Sequence, residues 1–392
     1  AFDVLLVILV LLILFVLGRG ATKTAVKESK LKYRVAGWLE EVARHPVAFK
    51  LAGGPNLARD MSDRLAAQYL SARRKHFRVV YRQIIGALAL QAVASAGVLG
   101  IGGWLVIERQ LTLGQLVAAE LIVTAVVASF AKMGRYLETS YDLLAAVDKV
   151  GQLIDLPLEP PAKTAALSAP AAQGTRLEAQ DLTFGYPNRP AVLRDLRLRV
   201  EPGERVAISG TSGAGRSALV DVLTGLREPA AGRVEVDGMD VRDLHRGALR
   251  DRVAVVRGTE VVVGTLADNV VFGRPEVTPQ AAQEALRAVD LLDEIAHLPD
   301  GLNTVVTPSG APLSGGQAAR LTLARALAGR PSLLLVDGAL DGLDAQTRDR
   351  VLSAVFAADA PWTLMVISDD PAVTIRCTRT LALEDGQLTG EN

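Results

Sequence analysis

Two runs near the middle of the chain constrain it most. Ile84 to Ile107 holds 24 residues without a charge, and Leu113 to Ala131 carries only Glu120. A hydrocarbon core about 30 Å thick needs about 20 helical residues at ~1.5 Å each, so each run spans it as a helix. A third run, Val4 to Leu17, follows Asp3 and is short. The sequence begins without methionine, which reads as a fragment lacking upstream membrane segments. A signal peptide at this position would carry a basic n-region and a small-residue cleavage site, and neither is present.

Charge sets the orientation. Residues 18 to 82 hold 15 Lys+Arg against 5 Asp+Glu, which places them in the cytoplasm by the positive-inside rule. The loop Glu108 to Thr112 is then outside, and Lys132 and Arg135 bring the chain back. The polar insertion has helix-forming composition and a break near Gly53-Gly54-Pro55. It predicts two helices of about 30 residues, each reaching roughly 45 Å, with the turn Arg44 to Gly54 farthest from the bilayer. Glu120 lies within an apolar span, where a charge costs ~2.5 kcal/mol or more. Two readings stand equally: contact with a substrate or proton, or a hydrogen bond to a neighbouring helix or the interface.

At 392 residues the chain has room for two or three domains. Its 43 basic and 43 acidic side chains and single Cys377 exclude a disulfide-stapled scaffold, a disordered chain and a whole-protein nucleic-acid binder. The balance conceals a split: residues 1 to 163 hold 20 Lys+Arg against 13 Asp+Glu, and residues 164 to 392 hold 23 against 30. Lys163 is the last lysine in the chain.

Residues 157 to 174, rich in Pro, Ala and Ser without periodicity, read as a linker. Beyond them short β-branched runs alternate with helical stretches: Arg205 to Ser209, Ala218 to Gly225, Val253 to Val256, Leu333 to Asp337 and Thr363 to Ile367. That pattern predicts an α/β domain with a mostly parallel sheet. The first run is followed by Gly210-Thr211-Ser212-Gly213-Ala214-Gly215-Arg216-Ser217-Ala218 and a helix. This is a phosphate-binding loop with arginine in the lysine position. Its glycines let backbone N–H groups converge on phosphate oxygens, the helix N-terminus adds positive potential, and Ser217 is a candidate Mg²⁺ ligand. Asp337, ending a second strand, is the acid expected to hold Mg²⁺ through water.

Leu313-Ser314-Gly315-Gly316-Gln317 leads into the helical run Ala318 to Ala328. With this block the chain resembles the ATP-binding cassette (ABC) proteins, and over essentially its whole length it resembles the C-terminal part of an ABC exporter half-transporter. The resemblance implies a multi-domain fold: an all-α transmembrane domain over 1–156, with spans at about 4–17, 84–107 and 113–131, then a linker and an α/β P-loop domain with a helical subdomain over 175–392. It implies a multi-pass protein of a bacterial inner membrane, in contact with the lipid bilayer, with its nucleotide-binding domain cytoplasmic. ATP and Mg²⁺ are the expected cofactors, a second half-transporter the expected partner, and no nucleic acid is expected. By the same resemblance, Tyr186 stacks on adenine, Leu343-Asp344 cross a dimer interface, and Leu313 to Gln317 touch the nucleotide of the partner subunit.

The departures fall at catalytic positions. Gly338 stands where the family places a glutamate that polarises water, and Asp369 stands where it places a histidine. Residues 251 to 279 contain no glutamine, although one is expected near Arg257-Gly258, and Pro308 replaces a glutamate upstream of the signature. A positioned acid or base is commonly worth about 10²- to 10⁴-fold in rate. The chain's own loop is therefore expected to bind ATP and hydrolyse it poorly, while Ser314, Gly315 and Gly316 complete a partner's site. The alternatives are a membrane-bound pseudo-ATPase with a regulatory or assembly role, and an active homodimeric exporter. The cargo is not legible.

Overall fold

Proline and glycine set where the first helices stop. The computed structural model describes residues 8–9, 12–51, 53–158, 174–307, 310–341 and 343–390; the side chains of 14, 124, 126–135, 137 and 138 lie outside the description. The chain divides into two units, Ala1–Glu159 and Pro160–Asn392.

In the first unit, α1 (Ala21–Arg44) ends at His45, where the following Pro46 disfavours helical backbone in the residue before it. A short α2 (Pro46–Lys50) follows. Then α3 (Gly54–Ile107) begins with Pro55 in its first turn and runs 54 residues, about 80 Å at ~1.5 Å per residue. The expectation of two insertion helices of about 30 residues is corrected here. The first has 24 residues, and the second does not stop near residue 82, because no proline or capping signal separates Tyr81 from Ile84 and the backbone continues into the apolar run. Next, α4 (Leu113–Ile154) opens on a reciprocal cap, Thr112 Oγ1 accepting the Gln115 N–H and Gln115 Oε1 accepting the Thr112 N–H.

Polar pairs join α1 to α3. Glu28, 8% exposed, meets Arg73 at 2.7 Å, Thr24 Oγ1 and His76 Nδ1 lie 3.0 Å apart, and Trp38 Nε1 donates to Ser62. The far end of α3 turns Ile101, Trp104 and Ile107 outward, as α4 does Val117, Leu121 and Ile122. Contiguous apolar surface of this kind calls for lipid or a partner rather than water. Among the described residues, α3 is the one helix long and apolar enough to cross a membrane. Of the run 4–17, residues 4–7, 10 and 11 lie outside the described residues and Ile13–Leu17 form a π-helical turn; most side chains in the second half of 113–131 also lie outside the description. Glu120 is half-buried.

The second unit begins with β1 (Leu177–Gly185), β2 (Ala191–Val200), β3 (Arg205–Ser209), α5 (Arg216–Leu223), β4 (Ala231–Val236), β5 (Met239–Asp240), α6 (Arg246–Arg250) and β6 (Val253–Arg257). It continues with β7 (Gly264–Thr265), α7 (Leu266–Val271), α8 (Pro279–Ala288), α9 (Leu292–Ala296), β8 (Val305–Val306), α10 (Gly315–Ala328) and β9 (Leu333–Asp337). After them come α11 (Ala345–Val355), β10 (Thr363–Ile367), α12 (Pro371–Thr374), β11 (Arg379–Glu384) and β12 (Gln387–Thr389). Arg205 to Ser209, Val253 to Val256, Leu333 to Asp337 and Thr363 to Ile367 all lie in strands. Ala218 to Gly225 lies in α5, the helix expected after the glycine loop, and in the turn that follows, with its apolar residues packed on the sheet.

The main sheet has the order β12-β11-β3-β10-β9-β6, parallel from β11 to β6. Its central strands are continuous apolar runs, as strands covered on both faces must be; β10 is buried along its whole length. An antiparallel sheet, β2-β1-β4-β5, shares one apolar core with α5. A second core holds α7, α8 and α10 against β6 and β9. The C-terminal ends of β3, β10, β9 and β6 stand side by side, the edge at which open parallel sheets bind ligands.

Candidate functional site

That edge collects the phosphate loop and most of the substituted residues. The loop leaves β3 at Gly210 and enters α5 through Gly215, whose φ of +105° is left-handed, a conformation glycine adopts without strain. A Cβ there would lie 2.9 Å from Val192. Ser212 and Gly213 are exposed at the loop tip, and Ala218 is buried one turn into the helix.

Two substituted positions meet here. Arg216 Nη1 lies 2.6 Å from Asp369 Oδ2, and the Gly210 N–H donates to Asp369 Oδ1 at 3.0 Å. The Gly210 N–H first, and then the Arg216 guanidinium, hold the Asp369 carboxyl below its ordinary value, against partial burial. An aspartate here is of like charge to phosphate, and it engages a loop N–H and the loop's cationic side chain. Gly338, just past β9, has φ +68°. A glutamate at that position would have to adopt left-handed backbone, at about 1 kcal/mol or more.

The expected metal ligands also come together, with a third group on them. Ser217 Oγ donates to Asp337 Oδ2 at 3.2 Å. On the same oxygen, Arg257 places Nε at 2.8 Å, while its Nη1 reaches Asp221 Oδ1 at 2.8 Å and its Nη2 reaches the Ser217 carbonyl at 3.1 Å. The cause is register: β6 and β9 run parallel with Arg257 opposite Asp337. Burial acts to lower the Arg257 pKa, but the carboxylates of Asp221 and Asp337 outweigh it and hold the guanidinium above its ordinary value. A divalent ion set beside that guanidinium would meet like charge, at about 4 kcal/mol per pair of unit charges ~4 Å apart with an effective dielectric near 20. As the side chains stand, Ser217 and Asp337 do not fit Mg²⁺ without moving Arg257. Among the described residues, no cluster of three or more His, Cys, Asp or Glu could hold a metal.

Asp221 extends the network. It also pairs with Arg227 at 3.2 Å, and the Arg227 guanidinium lies 5.0 Å from the centre of the Tyr186 ring. Tyr186, just past β1, makes an edge contact with Phe184 at 5.3 Å. Asp221 and Arg227 were missed in the sequence. Asp221 sits four residues after Ser217 on α5, a spacing that puts both on one helix face.

The signature block lies apart from this cluster. Ser314 caps α10, its Oγ accepting the Gln317 N–H at 3.2 Å and its N–H donating to Gln317 Oε1 at 2.8 Å. Gln317 Nε2 in turn donates to Glu294, which pairs with Arg320 at 2.8 Å. Gly315 and Gly316 form the first turn and Leu313 is half-buried before it. Among the described residues, no hydrogen bond or ion pair joins Leu313 to Gln317 with the phosphate loop. Asp344 caps α11, with Leu343 buried beside it. Pro308 lies outside the described residues.

A phosphate loop at the carboxyl edge of a parallel sheet, an aromatic at an antiparallel subdomain and a capped Ser-Gly-Gly helix in a helical subdomain define an ATP-binding cassette. Residues 193–341 match the model of the ABC transporter family, and the chain belongs to the ABC transporters. It is 36% identical over 283 residues to an ATP-dependent lipid A-core flippase of Chromobacterium violaceum, covering 70% of this chain and 48% of that one. It is 31% identical over 350 residues to the mycobactin import ATP-binding/permease protein IrtB of Mycolicibacterium thermoresistibile, covering 89% and 60%. A bacterial Atm1-family ABC exporter with ATP bound has the same fold, with a TM-score of 0.85 at 25% identity over 99% of this chain and 68% of that one. The chain thus spans about half to three-fifths of the length of these curated relatives. Its family is membrane-embedded, with the nucleotide-binding domain on the cytoplasmic side.

Proposed function

We propose that this chain is the ATP-binding/permease subunit of an exporter in which it forms the degenerate half of a heterodimer. Its own loop holds ATP through Gly210, Ser212, Gly213, Gly215, Arg216, Ser217 and Ala218, with Tyr186 against the base, and turns it over slowly. Its Leu313 to Gln317 segment completes the hydrolytic site of a partner that supplies the lysine, glutamate and histidine. The observation that carries this reading is the 2.6 Å pair between Arg216 and Asp369, which ties up the cation that would grip the phosphates. Left-handed Gly338 supports it, since no carboxylate is present there to orient water.

ATPase of the purified chain, alone and mixed with a half-transporter carrying intact catalytic residues, tests the reading. The chain alone should be nearly inactive and the mixture active. Ser314→Asp in this chain should abolish the activity of the mixture. Aspartate keeps the helix cap but sets a negative charge against the partner's phosphate. Turnover of several per second by the chain alone, abolished by Asp337→Asn, would sink the proposal.

A further inference from the structure

Within the chain's own nucleotide site, one cation is built into the protein. Arg257 projects from the end of β6 directly beside Asp337. Its three guanidinium nitrogens are each satisfied, by Asp337 Oδ2, Asp221 Oδ1 and the Ser217 carbonyl, at 2.8, 2.8 and 3.1 Å. Ser217 Oγ and Asp337 Oδ2, the pair a P-loop site offers to a metal ion, hydrogen-bond directly to each other at 3.2 Å. Two carboxylates face the guanidinium, so the charge that normally recruits a divalent ion is already matched. A guanidinium is planar, permanently charged and weakly hydrated, and it suits both carboxylate and phosphate oxygens.

We infer that Arg257 takes the place of the divalent cation in this site, so that the site binds the uncomplexed nucleoside triphosphate rather than its magnesium complex. The inference rests on the proposal that this loop binds ATP. Arg257 keeps its hold on Asp337 and Asp221, which positions it, and turns an edge of the guanidinium to the terminal phosphate oxygens.

The test measures equilibrium binding of a fluorescent ATP analogue to the full chain in lipid nanodiscs, in EDTA and in excess Mg²⁺. Wild-type binding should be tight in EDTA and weaken in excess Mg²⁺, which draws the free triphosphate into its complex. In Arg257→Gln, binding in EDTA should weaken by about tenfold, the usual scale of one charge-assisted hydrogen bond, and Mg²⁺ should restore it. Arg257→Lys, which keeps the charge, should retain much of the metal-free binding. Wild-type binding that requires Mg²⁺ overturns the inference and leaves ATP binding by this loop standing. Absence of binding under both conditions removes that reading and the inference with it. If Arg257→Gln binds in EDTA as tightly as wild type, the guanidinium is not the cation. The wild-type comparison stands without any variant, so poor folding of Arg257→Gln leaves it decisive.

Discussion

Arg216 and Asp369 are two departures that neutralise each other in place. Each alone reads as a loss; together they are a contact across 153 positions of sequence. Removing the carboxylate frees Arg216 for phosphate. Asp369→Ala should therefore tighten nucleotide binding by about fivefold, matching the ~1 kcal/mol of a half-exposed ion pair. The pH dependence follows from the lowered Asp369 pKa. The pair's stabilisation is present above the unfolded-state value and is lost as pH falls through the lower folded value. The ratio of mutant to wild-type affinity should stay constant from pH 8 to about 5 and shrink only in stronger acid, as titration by fluorescence anisotropy would check. A ratio that collapses between pH 8 and 6 contradicts the assignment. The changes at Arg216 and Asp369 are also coupled, so restoring lysine or histidine singly should not have additive effects. The substitutions themselves were plain in the sequence. Their pairing was not, because strand order, rather than spacing, brings the ends of β3 and β10 together.

At the scale of elements, two helix starts carry a chemical signal in the sequence. Thr112 with Gln115 and Ser314 with Gln317 are S/T-x-x-Q caps, and both open helices as such pairs do. Ala218 to Gly225 taken alone is an apolar run that fits a buried strand as well as a short helix, and the glycine loop before it decides for the helix that forms. The register of β6 against β9, which sets Arg257 beside Asp337, had no local signal at all. The cap on α10 yields a measurable consequence. Ser314→Ala removes the acceptor of the Gln317 N–H and should cost about 1 kcal/mol, lowering the melting temperature of the domain by about 3 °C. Hydrogen exchange at the Gln317 amide should quicken, whereas in Ser314→Asp it should stay near wild type.

For the whole molecule, charge and hydropathy were enough to separate a basic helical unit from an acidic α/β unit. They could not reveal that the cytoplasmic insertion and the apolar run share one helix, since polarity changes along α3 while backbone preference does not. The exposed apolar surface at its far end has a direct check. In nanodiscs of brominated lipid, fluorescence from a variant retaining only Trp104 should be strongly quenched, and that from a variant retaining only Trp362 should not. Trp104 is 60% exposed on an apolar helix face, and Trp362 packs against the core of the α/β unit. Equal quenching of the two would remove the membrane assignment of residues 84–107. Continuity in α3 also has a mechanical meaning. After Pro55 it contains no proline, and its glycines are Gly86 and then Gly97, Gly100, Gly102 and Gly103. Sharp helix kinks arise mainly at proline and at glycine-rich places, so the first three-fifths of α3 act as a stiff shaft. Torque applied near residues 45–53 is delivered along it with little loss, and the compliant stretch lies where the shaft enters the apolar layer.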